Sequence, residues 1–181
     1  MADDPNCALA VIGDRRALGW VLTQGIVAFP EPRKRLPRFG EEDSIYLYTT
    51  RGCFKNPTRD RSRIIGKAVA LTELRLNDDP VRFGDRTFPL EVRVRIDSLA
   101  PVGEGINFAN LVPQLTSFPK PERWSVYLRR SALSVTPADA RQFDKLLAPF
   151  EGRYPENLGG YQQRARIGVV GASEGMTNDN Y

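Results

Sequence analysis

Residues 88–97 alternate over a full strand length. Phe88, Leu90, Val92, Val94 and Ile96 fall on one side, and Glu91, Arg93, Arg95 and Asp97 on the other. A period of two lays one face on a core and leaves the other polar, the pattern of an antiparallel sheet that is wet on one side. Pro89 lies near the start, where a missing N–H donor is tolerated. Asn77 to Pro80 reads as a turn, and Phe83 to Thr87 as a second, hairpin-like turn leading into the strand.

The same reasoning extends along the chain. Cys7 to Gly13 is a short apolar run that suits a buried strand. Asp14 can cap a helix from Arg15 to about Gln24, with Leu18, Val21 and Leu22 on one face and Gly25 at its end. Trp20 reads as core. Residues 43–50 place Ile45, Leu47 and Thr49 on one face and Tyr46, Tyr48 and Thr50 on the other, so this strand is central or lines a cavity. Residues 63–74 are rich in Ile, Val, Leu and Thr, with Gly66 permitting a bulge or a close backbone approach. Thr136-Pro137-Ala-Asp139 starts a helix whose buried face is Ala140, Phe143, Leu146 and Leu147. After Phe150 the chain turns polar and Gly-rich, and residues 151–181 read as a partly disordered tail. The sum is an α+β domain over residues 7–150. Roughly five or six short, mostly antiparallel strands with hairpin turns favour a small twisted β-barrel with flanking helices.

Composition removes several kinds of chemistry. The chain of 181 residues contains no histidine and two cysteines, Cys7 and Cys53. Hydrolases built on Ser-His or Cys-His pairs are excluded in their usual form, and neither a CxxC zinc site nor a disulfide framework is expected. No metal and no cofactor is expected. Cys53 lies among basic residues that can lower a thiol pKa; the competing reading is a small, half-buried side chain. No apolar run approaches the roughly 20 residues that span a bilayer. With an acidic N-terminus, the expected setting is soluble and cytoplasmic, with no membrane partner.

Positive charge is concentrated rather than abundant. The net charge is +4, but Arg51, Lys55, Arg59, Arg61 and Arg63 crowd one connection against Asp60. A local field of this kind attracts an anion even when the net charge is small. Tyr48 and Phe54 flank or enter the same stretch. Flat rings stack on bases and guanidinium groups pair with phosphates, so the segment points to nucleic acid. A second basic cluster, Arg33 to Arg38, reads as solvated linker.

Taken in order, the motifs resemble an EVE domain, a member of the PUA-like superfamily that also holds YTH, ASCH and SRA-type base readers. The matching parts are the strand Ala8 to Ile12 leading into the helix with Trp20, the strand Asp43 to Thr49, the segment Arg63 to Ala68, the acidic turn Asp78-Asp79-Pro80, the strand Phe88 to Val94, the stretch Trp124 to Arg130, and the capped helix at 137–147. Glu42 stands where the family usually has glycine. The connection 51–63 is longer and more basic than is usual.

The resemblance implies a PUA-like barrel with a concavity for a modified or flipped-out base. It assigns to that concavity the segment Val27 to Phe29, the segment Tyr48 to Arg51 and the vicinity of Trp124. The expected base pocket is therefore Phe29, Tyr48, Thr49, Thr50, Phe54, Asn56 and Trp124. The expected phosphate contacts are Arg51, Lys55, Arg59, Arg61 and Arg63. The function expected is non-catalytic recognition of a modified base in DNA or RNA, with any downstream action left to a separate effector protein. The alternative is an ASCH-like amidohydrolase acting on modified nucleosides, using Lys55 or Lys67 with Thr49 or Thr50 and Glu73. A protein-interaction module is a third reading.

Overall fold

The first strand, β1 (Cys7–Ile12), lies parallel to a strand that follows it by a helix and another strand. The computed structural model describes residues 5–30 and 32–166. Asp14 caps α1 (Arg15–Gln24) by accepting hydrogen bonds from the Arg16 and Ala17 amides, and Gly25 ends it in the left-handed conformation. β2 (Ile26–Phe29), β3 (Ser44–Thr49), β4 (Arg63–Ala70), β5 (Arg75–Phe83) and β6 (Arg86–Leu99) follow. After these come β7 (Ile106–Asn107), α2 (Phe108–Leu111), α3 (Trp124–Tyr127), β8 (Ala132–Val135), α4 (Pro137–Leu147) and α5 (Tyr154–Arg166).

The described strands form one strongly curled, half-barrel sheet in the order β2-β6-β4-β3-β1-β8, with β5 on β6 and β7 on β4. Apart from β1 with β3, every pairing is antiparallel. The long strand β6 carries the curl. Its first half pairs with β2 and β5 and its second half with β4. Gly66 sits where β4 crosses β6, and a Cβ there would collide with the Ser98 carbonyl.

Both faces of β3 are covered, as its alternation requires. Ile45 and Leu47 pack into a core shared with Leu18, Leu22 and Tyr161 from α1 and α5. Tyr46 and Tyr48 pack into a second core with Phe108, Phe118 and Phe143. The sheet is thus sandwiched between α1 and α5 on one face and α2, α3 and α4 on the other.

Several expectations change. Asn77 to Pro80 is not a free turn but a bulged stretch inside β5: pairing passes from Leu76 opposite Leu90 directly to Val81 opposite Phe88. Leu146 is exposed on α4, because Ala140, Phe143 and Leu147 already fill the stripe that faces the sheet. The stretch after Phe150 contributes a helix. In α5, Tyr161 is buried and donates to the Ala100 carbonyl at 2.8 Å, while Asn157 Nδ2 donates to the Leu99 carbonyl at 2.8 Å. The last ten or so residues, expected to be disordered, fall within 167–181 and lie outside the described ones. No described helix is long and apolar enough to cross a membrane.

Candidate nucleic-acid interface

The basic segment between β3 and β4 folds as a chain of turns. The amides of Cys53 and Lys55 donate to the carbonyls of Thr50 and Gly52, and those of Arg59 and Asp60 both donate to Asn56. Arg51 Nε closes the loop on the Pro57 carbonyl at 2.6 Å. Cys53 anchors it in the core at 1% exposure. Burial pushes this thiol up to about 12, with Asp14 and Asp60 acting in the same direction and only Arg15 opposing. The neighbouring cations therefore do not activate Cys53, and it behaves as a core side chain.

The loop roofs an open cavity of about 540 Å³. Tyr48, Thr50, Arg51, Arg59, Arg61 and Trp124 all line it. Strand β3 supplies Tyr48 and leads into Thr50, and the short helix α3 supplies Trp124. Phe108 holds the two aromatic residues in place, packing edge-on with ring centroids 5.0 Å from Tyr48 and 5.6 Å from Trp124. Trp124 is half-buried, so part of its ring is open to the cavity. Tyr48 is only 3% exposed and acts as wall rather than as a stacking face. Burial raises its phenol pKa, against a hydrogen bond with Ser62.

Other expected residues lie elsewhere. Thr49 points to the opposite face from Tyr48 and Thr50, because adjacent strand residues alternate. There Thr49, Phe54 and Arg63 line a separate cavity of about 110 Å³ with Tyr161 and Arg164. The Arg164 guanidinium sits 5.3 Å from the Phe54 ring centre, so the ring already carries a cation from its own chain. Asn56 accepts from the Thr58 hydroxyl within the loop, and Lys55 is exposed in a left-handed turn; neither lines these two cavities. Phe29 is 1% exposed and stacks on Phe39 at 5.1 Å, near the far edge of the sheet.

The segment Val27 to Phe29 borders a third cavity, of about 210 Å³, between α1, β2 and the β5–β6 hairpin. Trp20, Phe83 and Phe88 share its wall. The three segments that the resemblance assigns to one pocket therefore line two. Of the residues proposed for hydrolysis, Lys67 and Thr50 face different surroundings. Lys67 Nζ pairs with Asp144 at 2.8 Å beneath α4, while Thr50 opens on the loop cavity. Among the described residues, no group of three His, Cys, Asp or Glu side chains is placed to hold a metal ion.

Sequence reasoning missed Asp60, Ser62, Asn107 and Leu128 in the main cavity. The first two are loop-end residues with no periodicity to betray them. Asn107 arrives through the two-residue strand β7, which pairs Asn107 with Arg63.

No family model matches the chain, and no curated protein matches it. Among solved structures, the NMR structure of Rpa0253 from Rhodopseudomonas palustris is similar at 13% identity and a TM-score of 0.46, covering 81% of this chain and 97% of that one.

Proposed function

We propose that the chain is a PUA-like, EVE-type reader that takes a modified base of DNA or RNA into the cavity under the 51–62 loop, without catalysis. One arrangement carries this reading: Trp124, from a distant part of the chain, shares an open cavity of about 540 Å³ with Arg51, Arg59 and Arg61. That volume is within the range of small-molecule sites. Removing a base from its stack costs a few kcal/mol, and stacking on an aromatic ring returns about 1–3 kcal/mol. Three guanidinium groups at the rim add attraction for the backbone phosphates. A position of the fold adds support. Glu42, where the resembled family has glycine, adopts φ 66°, a conformation that favours glycine. A downstream effect on the nucleic acid belongs to a separate effector protein.

Anisotropy titrations with plain and modified oligonucleotides, single-stranded and duplex, at two salt concentrations test the reading. Binding is expected to weaken with salt and to favour a modified base. Trp124→Ala removes that preference, at a loss of about 1–3 kcal/mol. Absence of binding to every oligonucleotide, or selectivity intact in Trp124→Ala, contradicts it.

A further inference from the structure

The small cavity on the opposite face of β3 is lined by Arg59, Arg61, Arg63 and Arg164, against one acidic side chain, Asp60. Two of these arginines stand on rigid elements. Arg63 opens β4 directly opposite Thr49, and residues opposed in a ladder share a face, so its side chain lies on the Thr49 side. Arg164 follows Tyr161 by one turn of α5, hence on the same flank of that helix. Tyr161 and Asn157 pin the helix to the Ala100 and Leu99 carbonyls, each at 2.8 Å. The Arg164 guanidinium rests over Phe54, 5.3 Å from the ring centre, which leaves its N–H fork free at the edge. None of the four arginines takes part in an ion pair among the described residues. Glu104, beside Gly103 in the wall, is the other acid close enough to act on the Tyr161 phenol, as Arg63 and Arg164 also do. Positive charge therefore exceeds negative around this cavity, and like charges held together without partners repel until an anion joins them.

We infer that this second cavity binds a phosphate monoester, as carried by the end of a nucleic-acid strand or by a free mononucleotide, with Arg63 and Arg164 as the clamp. The site is separate from the base pocket, which uses the other face of β3, and either can exist without the other. At about 110 Å³ the cavity falls well below the range of sites that enclose a whole small molecule. By liquid volume it corresponds to roughly four waters, about the bulk of one phosphate group. Guanidinium forks take phosphate oxygens in pairs. A monoester carries about −1.5 to −2 charge at pH 7 and three terminal oxygens, whereas each internal diester of a strand carries about −1. The diester chain also runs on in both directions, so a cavity of this size suits the end of a strand and not its middle.

The test uses the full chain and pairs of short single strands, identical except for a hydroxyl or a phosphate at one end, with the label at the other; one pair varies the 5′ end and one the 3′ end. Calorimetry with adenosine and adenosine 5′-monophosphate covers the free mononucleotide. In at least one of these pairs the phosphorylated member is expected to bind about tenfold more tightly. Arg164→Gln and Arg63→Gln are each expected to cut that gain to about twofold, with little change for the hydroxyl member. Arg164 is exposed, so its variant keeps the fold even if Arg63→Gln does not. A gain seen with strands alone assigns the site to a strand end, and a gain with the mononucleotide assigns it to free nucleotides as well. No gain in any pair, or a gain that Arg164→Gln leaves intact, overturns the site. If no strand binds but the mononucleotide is preferred over its nucleoside, the base-pocket reading fails and the phosphate site stands. If strands bind with a preference for a modified base but ignore the terminal phosphate, the phosphate site fails and the base pocket stands.

Discussion

Tyr48 and Trp124 are bridged by one ring: Phe108 packs edge-on against both, at centroid distances of 5.0 and 5.6 Å. The bridge fixes the loop cavity from beneath. It also divides labour between the two, since Tyr48 is buried in the second core while Trp124 remains partly open. A ring held from behind loses little conformational freedom when a base stacks on it, which favours binding by preorganisation.

The rim arginines act on phosphates rather than on base identity. The double variant Arg59→Ala/Arg61→Ala is expected to weaken binding to all oligonucleotides alike. On a single strand, the slope of log affinity against log salt should become shallower by about 0.7 for each phosphate that is no longer neutralised. Salt-dependent anisotropy titration checks this; weaker binding to one base alone would assign these side chains to the base instead.

Glu42 carries backbone strain that glycine would relieve. It sits at φ 66°, with its amide bonded to the Ala70 carbonyl at 2.9 Å and its side chain exposed. A non-glycine residue in this region is strained by roughly 1–2 kcal/mol, partly offset by the greater chain entropy of unfolded glycine. Glu42→Gly is therefore expected to stabilise the protein by about 0.5–1 kcal/mol in chemical denaturation.

Asp139 ties α4 to the segment before it. Its carboxylate accepts from the amides of Thr116 and Ser117, at 3.0 and 2.7 Å, and from both their hydroxyls. Burial acts to raise its pKa, but these hydrogen bonds outweigh it and hold the carboxyl below its usual value. The unfolded chain therefore binds this proton more readily than the native one. The stabilisation is complete above the unfolded value of about 4 and is lost as pH falls through the lower folded value. Asp139→Asn should cost about 2 kcal/mol at pH 7 and show a shallower loss of stability on acidification, measured by guanidinium denaturation at pH 7 and below pH 4.

Cys53 should be inert in the folded protein. With 1% exposure and a pKa pushed up to about 12, it offers almost no thiolate near pH 8. Iodoacetamide labelling followed by mass spectrometry should modify Cys53 only after denaturation; rapid native labelling would contradict its place in the core.

Short-range signals in the sequence carried much of this fold. The caps at Asp14, Gly25 and Thr136, the two-sided alternation of β3 and the close approach at Gly66 follow from residue type and spacing, and the structure has each of them. The same alternation separates Thr49 from Thr50, so only one of them could ever face Tyr48's cavity. The helix α5 also left a trace. Tyr154, Leu158 and Tyr161 recur at helical spacing, but polar and glycine residues around them hide the stripe. Other features had no local signature. The path of the 51–62 loop depends on Cys53 reaching the core and on Arg51 bonding to Pro57. The bulge in β5 depends on the register imposed by β6. Phe29 could not be placed without knowing that β2 pairs with β6, far from β3 in the sheet.

The chain has two tryptophans, and they line different cavities: Trp124 the one under the basic loop, Trp20 the one beside α1. Their indole N–H signals in a two-dimensional NMR spectrum therefore report on the two sites separately. On titration with a short single strand carrying a modified base, the Trp124 signal should shift and the Trp20 signal should stay in place, and an abasic strand should leave both nearly unmoved. A shift of Trp20 alone, or equal responses to the base-bearing and abasic strands, would contradict a base receptor under the loop.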